Sequence, residues 1–397
     1  MKIATPRPLD GVTVISLEHA VAAPFASRQL ADLGARVIKV ERPGVGDFAR
    51  AYDQRVRGEA SHFVWINRSK ESLTLDLKQP DARAVLLDLL AGADVLLQNL
   101  APGAAARMGL SWEALHERHP RLIVCDISGY GDDGPYRDKK AYDLLIQSEA
   151  GFLSITGTPE VPSKAGCSIA DIAAGMYAYT NILSALLLRG RTGQGSHIDV
   201  SMLESLAEWM GYPMYYAFDG APPPERTGAS HASIYPYGPF AVGDGGTVML
   251  GLQNEREWKS FCEQVLEDPG VATDPRFDAN ARRSAHRAEL AAIITKAFAG
   301  MTTAEVEQGL ESAQIASARM NDMAGLWRHA QLAARGRWVS VDSPVGEVPA
   351  LLPPGRSNAF DWRMEAIPGL GEHTDAILRA LGRSEAQIAA LRATQAI

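Results

Sequence analysis

The chain has 397 residues, more than one hydrophobic core ordinarily organises, so two domains or one domain with an insertion are expected. With 46% hydrophobic and 22% charged residues it suits a soluble folded protein that needs neither disulfides nor a structural metal, and its three cysteines (Cys125, Cys167, Cys262) fit a reducing compartment. Its 39 basic and 47 acidic residues, net −8, argue against a general nucleic-acid binder but leave room for a local basic pocket holding a small anion.

The opening MKIATPRPLDG lacks the apolar stretch of a secretory signal, which points to the cytoplasm. GVTVISLE (11–18) reads as a strand, and APFASRQLADLG as a helix with Pro24 in its first turn and Gly34 as its cap. RVIKVE (36–41), SLTLDL (72–77), a helix over 80–91, DVLLQNL (94–100), a short helix and LIVCDISGY (122–130) continue the alternation. That order predicts an α/β fold with a doubly wound, mostly parallel sheet. Segments 141–151 and 168–189 read as helices. The apolar run 165–188 carries one acid, Asp171, and reads as a buried core helix rather than a membrane span.

Near residue 212 the composition turns to proline, glycine and tyrosine. Residues 212–224 read as a stiff linker, and 225–335 as a small α+β domain with a hairpin turning on 244–246 and its clearest helix at 281–299. Strands around 337–352 and a helix after Glu372 return to the large domain, which spans 1–211 and is completed by 336–397.

Three places could carry chemistry. The turn EHAVAAP (18–24) offers a helix start to an anion without dinucleotide-type glycines; nearby, Glu41 suits a ribose and Arg42 a phosphate. Arg42, Lys70, Lys78, Arg107 and Lys140 fall at strand ends and loop starts, where basic side chains can grip a phosphorylated ligand or simply face water. Asp171, among Ala170, Ala173, Ala174 and Gly175, is either a helix-capping acid or a nucleophilic carboxylate with room above it. Tyr142 and Asp143 open the preceding helix and can pack there or support Asp171. His116 and His119, in HERHP, read as solvated, and no metal motif is present.

These residues sit in segments that resemble the class III CoA-transferases, the family of formyl-CoA and carnitinyl-CoA transferases, with α-methylacyl-CoA racemases as relatives. The likeness covers almost the whole chain. It runs through PLDGVTVISLEHAVAAPFASRQLADLGARVIKVERPGVGD, NRSKESLTLDLK, QNLAPGAAARMGL, SGYGDDGPYRDKKAYDLLIQSEAG, SIADIAAGMYAYTNILSALLLRGRTGQG and LGEHTDAILRALG. The resemblance implies a Rossmann-like large domain, a smaller one, and a homodimer of interlocked rings. It places the catalytic aspartate at Asp171, with Tyr142 and Asp143 in support. It places coenzyme A contacts at His19, Ala20, Val21, Ala22, Arg42, Leu75, Asp76, Leu77, Lys78, Asn99, Leu100, Arg107 and the segment from Lys140 to Tyr142.

The implied chemistry is covalent, through an aspartyl anhydride and an aspartyl-CoA thioester, with no metal. Two departures bear on the branch. Tyr142 stands where the racemases carry histidine, removing the second base that epimerisation needs. HASIYPYGPF and Val21 replace the glycine-rich flap and glutamine of the formyl-CoA branch. SHFVWINRSK is similar to the branch that uses succinyl-CoA with C4–C5 dicarboxylates such as itaconate, mesaconate, malate or glutarate. Arg50, Arg55, Arg57 and His231 are candidates to hold a second carboxylate. The rival readings are a 2-methylacyl-CoA racemase, a formyl-CoA:oxalate transferase and a non-catalytic CoA-binding protein. No membrane or nucleic-acid partner is expected.

Overall fold

The apolar runs of the first half pair into one sheet. The computed structural model describes residues 6–397, so the first five residues of the stretch read for a signal lie outside the described residues. Strands β1 (Thr13–Leu17), β2 (Arg36–Glu41), β3 (Lys70–Thr74), β4 (Val95–Gln98), β5 (Ile123–Ser128) and β6 (His197–Ser201) lie in the order β3-β2-β1-β4-β5-β6. All neighbours are parallel, with Val14 opposite both Val37 and Val95. The central strands are apolar on both faces because helices cover both. The third strand begins two residues earlier than SLTLDL suggests, which leaves Leu75–Lys78 in the turn beyond it.

Helices α1 (Ala22–Asp32), α2 (Pro80–Ala91), α3 (Trp112–Arg118), α4 (Asp143–Glu149), α5 (Ile169–Thr192) and α6 (Met202–Trp209) belong to this first unit. On one face Ile15, Ile38, Leu73, Leu96 and Val124 pack with Val85, Leu86 and Leu90 of α2. Ile377, Leu378 and Ile388 join them, so the C-terminal segment completes this core. On the other face α5 lies against α1, and at Gly175 the approach is tightest. A Cβ there would stand 2.6 Å from the Ala22 carbonyl oxygen and 3.1 Å from the Phe25 ring. Only glycine fits that contact without moving a helix.

The expectation of a buried core helix for α5 needs correction. Ala170, Ala173, Ala174, Gly175, Ala178, Ile182 and Ala185 form its buried stripe. Leu187 and Leu188 of the same helix are 70% and 52% exposed. By length and composition alone α5 is apolar enough to cross a membrane.

The first unit comprises the described residues through Ala150, with Ala165–Met210 and Gln331–Ile397; the second comprises Gly151–Lys164 and Gly211–Ala330. Residues 151–164, expected in the large domain, thus cluster with the small one. The stretch expected as a stiff linker opens with a helix, Gly211–Tyr216. In the second unit the hairpin Tyr237–Ala241 and Thr247–Gly251 takes a third antiparallel strand, Ala316–Arg319. Its core gathers Trp258, Phe261, Phe277, Leu290, Ile294 and Phe298. The helix expected over 281–299 breaks at His286 into Asn280–Ala285 and Arg287–Phe298.

Candidate active site

The sheet order reverses between β1 and β4, and in such sheets ligands bind beyond the strand C-termini at that point. Here β1 runs into the turn from His19 to Ala22. Asn99, just past β4, closes on it twice: its Oδ1 accepts the His19 N–H at 2.9 Å and its Nδ2 donates to the His19 carbonyl at 2.9 Å. Ala20 adopts a left-handed backbone, φ 60°, unusual for alanine, and donates its N–H to Asp47 Oδ1 at 2.9 Å. The His19 ring stacks on Phe48 at 4.5 Å, and the Arg42 guanidinium lies over the same ring at 5.3 Å. The structure thus gathers His19, Ala20, Val21, Ala22, Arg42 and Asn99 at one strand-end surface. Phe48 and Asp47 complete it, and neither stood out in the sequence.

Directly beneath lies a buried cluster of charges. Glu18 accepts from Lys39 at 3.2 Å, Lys70 at 2.7 Å and Ser27 at 2.6 Å, while Lys39 also reaches Asp47 at 2.7 Å. Burial alone would raise the Glu18 carboxyl; the Lys39 and Lys70 ammoniums overcome it and hold the group at about 2. Burial likewise opposes ionisation of Asp47, and Lys39 with hydrogen bonding lowers it well below the usual carboxylate range.

This cluster corrects three expectations. Lys70 begins β3 rather than ending it, is fully buried on Glu18, the Pro24 carbonyl and Asn67, and has no part in gripping an anion. Glu41 is saturated by Arg50, the Asp47 N–H and Ser72, which leaves no place for a ribose. Arg50 spends its fork on Glu41 and stacks on Phe63 at 3.7 Å, so it is unavailable to a substrate carboxylate.

The other expected residues are more dispersed. Leu75 is buried. Asp76 donates its N–H to the Ala396 carbonyl at 2.8 Å and, through its side chain, receives Lys78 N–H and Gln79. Lys78 and Lys140 are exposed on their loops and Arg107 at the end of the short helix Ala104–Arg107, while Leu77 and Leu100 are half-buried. Arg57 donates to the Val345 and Glu347 carbonyls, and Arg55 is exposed. His231 belongs to the second unit, where it stacks on Tyr237 and accepts the Ser233 and Ile234 N–H groups.

Asp171 occupies the first turn of α5. It is not the cap. Asp143 fills that role from α4, its Oδ1 accepting the Ala170 N–H at 2.8 Å and the Asp171 N–H at 3.3 Å. Gln147 donates to Asp143 Oδ2 at 2.7 Å and accepts the Ala165 N–H at 2.9 Å, fixing the capping carboxylate in turn. None of the described residues donates a hydrogen bond to the Asp171 carboxylate. Burial, then the nearby Asp143 charge, pushes it up to about 7. Asp171 shares a helix face with Gly175, one turn on, which presses against the Ala22 carbonyl at the start of α1. Asp171 therefore lies one helical turn from the contact with Ala22.

Tyr142 is 73% exposed at the start of α4. Tyr52, which sequence reasoning passed over, stands edge-on to His62 at 5.4 Å. Burial and the charges of Asp47, Asp171 and Tyr142 together raise its phenol, so it shares the surroundings of Asp171. Its only sequence signal was an aromatic residue in the polar loop after β2. Among the described residues no group of three or more His, Cys, Asp or Glu could hold a metal ion. Chemically, the site offers a poorly solvated carboxylate, raised toward neutrality by burial and by Asp143.

Comparison with known proteins gives the family. The chain is 35% identical to a succinate–glutarate CoA-transferase of Agrobacterium fabrum over 94% of its own length and 96% of that protein's. It is 33% identical to a succinyl-CoA–D-citramalate CoA-transferase of Chloroflexus aurantiacus, covering 99% of this chain and 98% of that one. The crystal structure of a CAIB/BAIF family protein from Brucella suis superposes with a TM-score of 0.85 at 33% identity, over 95% of this chain and 100% of the other. The model of CoA-transferase family III matches residues 9–374, and the chain belongs to that family.

Proposed function

We propose that the protein moves CoA from succinyl-CoA or a similar acyl-CoA to a C4–C5 dicarboxylic acid through covalent intermediates on Asp171. The observation that carries the proposal is a half-buried Asp171 carboxylate to which none of the described residues donates, one helical turn from the contact of Gly175 with Ala22. Asp171 attacks the thioester carbonyl carbon, the C–S bond breaks, and CoA leaves as the thiolate. That thiolate attacks the Asp171 carbonyl of the mixed anhydride, releasing the first acid and leaving an aspartyl-CoA thioester. The acceptor carboxylate opens this thioester, expelling thiolate, which then takes the acyl group from the new anhydride and frees Asp171. Every intermediate keeps one activated acyl bond, anhydride or thioester, as exchange between two acids requires. Water must be kept out, since it hydrolyses either intermediate.

CoA is assigned to His19, Ala20, Val21, Ala22, Arg42, Asn99 and Leu100, with Leu75–Lys78, Arg107 and Lys140 around them. Arg55 and Arg57 are the remaining first-unit candidates for a second carboxylate. The relatives named for glutarate and citramalate support a dicarboxylate acceptor. Incubation with succinyl-CoA and a panel of glutarate, citramalate, itaconate, mesaconate, malate and oxalate, read by mass spectrometry, should give the CoA thioester of a C4–C5 acid. Deuterium uptake at C2 of a 2-methylacyl-CoA, with no transfer to any acid, would instead establish the racemase.

An interlocked homodimer belongs to the same proposal. The exposed Leu187, Leu188 and Trp209 support it, being apolar surface that a second copy would cover. Interlocked chains cannot part without partial unfolding. Native mass spectrometry after dilution to nanomolar concentration should still find a dimer, and rapid appearance of folded monomer would overturn it.

A further inference from the structure

On the sheet face covered by α2 and α3, polar side chains run side by side across β4, β5 and β6. Register sets Gln98 opposite Asp126, and Asp126 opposite Asp199. His197 Nε2 lies 2.8 Å from Asp126 Oδ2. Gln98 Nε2 donates to Asp126 Oδ1 at 2.8 Å, and Gln98 Oε1 accepts the Leu100 N–H at 2.6 Å. A carboxylate only accepts, so the Gln98 amide has one workable orientation, with its oxygen turned to Leu100. The neighbouring Asn99 then pairs with both backbone atoms of His19. A chain of hydrogen bonds thus joins an imidazole 27% exposed to water with the 98–100 turn, and Asn99 within that turn ties it to the His19 turn.

We infer that His197 is a positioning residue for acyl-CoA: through Asp126 and Gln98 it fixes the Leu100 peptide and the 98–100 turn, so that affinity for CoA follows its proton. The inference rests on the assignment of Asn99 and Leu100 to CoA. An ion pair serving only to hold β5 to β6 would have no need of the continuation through Gln98.

The hydrogen bond to Asp126 raises His197 above its ordinary value, against the effect of partial burial. The groups around it are Asp126 on β5, Asp132 beyond β5 and Asp199 on its own strand. From α3 come Glu113 and His116, the latter stacked on Trp112, whose other neighbour is the His197 ring at 5.9 Å. Below the raised value the imidazolium balances Asp126 and the chain is charge-assisted. As pH rises through it that balance is lost, and CoA affinity should fall.

The test is calorimetric binding of CoA to the full chain in an Asp171→Asn background, which removes the nucleophile's own titration. His197→Ala should weaken binding about tenfold at about pH 6, the scale of one charge-assisted hydrogen bond, while kcat at saturation in the Asp171 protein stays within about twofold. His197→Gln can still donate to Asp126 but carries no charge. Its affinity should lie between the two, and the fall in affinity between about pH 6 and about pH 8 should be smaller than in the His197 protein by the share the imidazole contributes. Unchanged CoA binding in His197→Ala, or a loss confined to kcat or to thermal stability, overturns the inference. Asn99→Ala separates the two levels. If it too leaves binding unchanged, the CoA assignment itself falls and the inference with it; if it alone weakens binding, only the role of His197 falls.

Discussion

Asp171→Asn should lower kcat for CoA transfer by at least about three orders of magnitude, because an amide cannot form the anhydride. Folding should be untouched, since the cap of α5 is Asp143 and the Asp171 carboxylate receives no hydrogen bond from the described residues. The direction of the stability change is also fixed. Burial and Asp143 raise Asp171 from 3.8 to about 7 in the folded chain, so the folded state holds this proton more tightly than the unfolded state. Stability is therefore lost as pH rises between those values, and above about 7 the loss is complete. The neutral asparagine escapes it. At about pH 8 the variant should unfold at a higher temperature than the wild type, a stable but inactive protein. In the wild type, kcat/KM for the donor should climb as pH rises through about 7, because only the ionised form attacks. Near-normal turnover by the variant would remove Asp171 from the mechanism. A lower melting temperature at alkaline pH would show that its carboxylate is a structural anchor instead.

Glu18→Ala should cost about 3 kcal/mol of stability, the scale of breaking a buried ion pair by deleting one partner. Glu18 is fully buried and joins two ammoniums, and its loss leaves Lys70 with only the neutral Pro24 and Asn67 oxygens. The pH window follows from the same contacts. Glu18 is held at about 2 against an ordinary 4.5, so its contribution is complete above 4.5 and disappears as pH falls toward about 2. The wild type should weaken across that acid range, and the variant, already lacking the contribution, should show a shallower acid slope. Chemical denaturation monitored by circular dichroism across pH measures both. A variant as stable as the wild type at neutral pH would mean the lysines find water or shed their protons without cost.

The sheet was legible because its strands are apolar runs spaced by helices, a pattern set by neighbours in sequence. The first-turn position of Asp171 on a long helix was legible because it is the single charge in a long apolar stretch. The strand His197–Ser201 was not, since it lies at the sheet edge and keeps polar residues on alternate positions. Glu41 and Arg50 were read as free to meet a ligand, but they pair with each other across a nine-residue loop whose closure no local pattern announces, and the partner of Lys70 is more distant still. Lys70 and Glu18 are 52 residues apart, and no local pattern marks a basic residue as buried rather than solvated. The cap of α5 escaped for the same reason: Asp143 reaches Ala170 across 27 residues, from another helix. Tyr52 and Phe48 belong to a loop whose path is set by Asp47 on Lys39, a buried contact that composition does not announce.

The seat of Gly175 on the Ala22 carbonyl bears on how a nucleophile can be aimed. Holding a carboxylate in place with hydrogen bonds would steady it but also withdraw its electron density, trading reactivity for precision. If Asp171 attacks as proposed, its aim comes from steric contact one helical turn away, through backbone that does not change when the acid ionises. In the proposed mechanism the attacking group would be located by a mechanical stop while the described residues leave its oxygens uncommitted, so that accuracy of placement and readiness to attack would be set by separate parts of the helix.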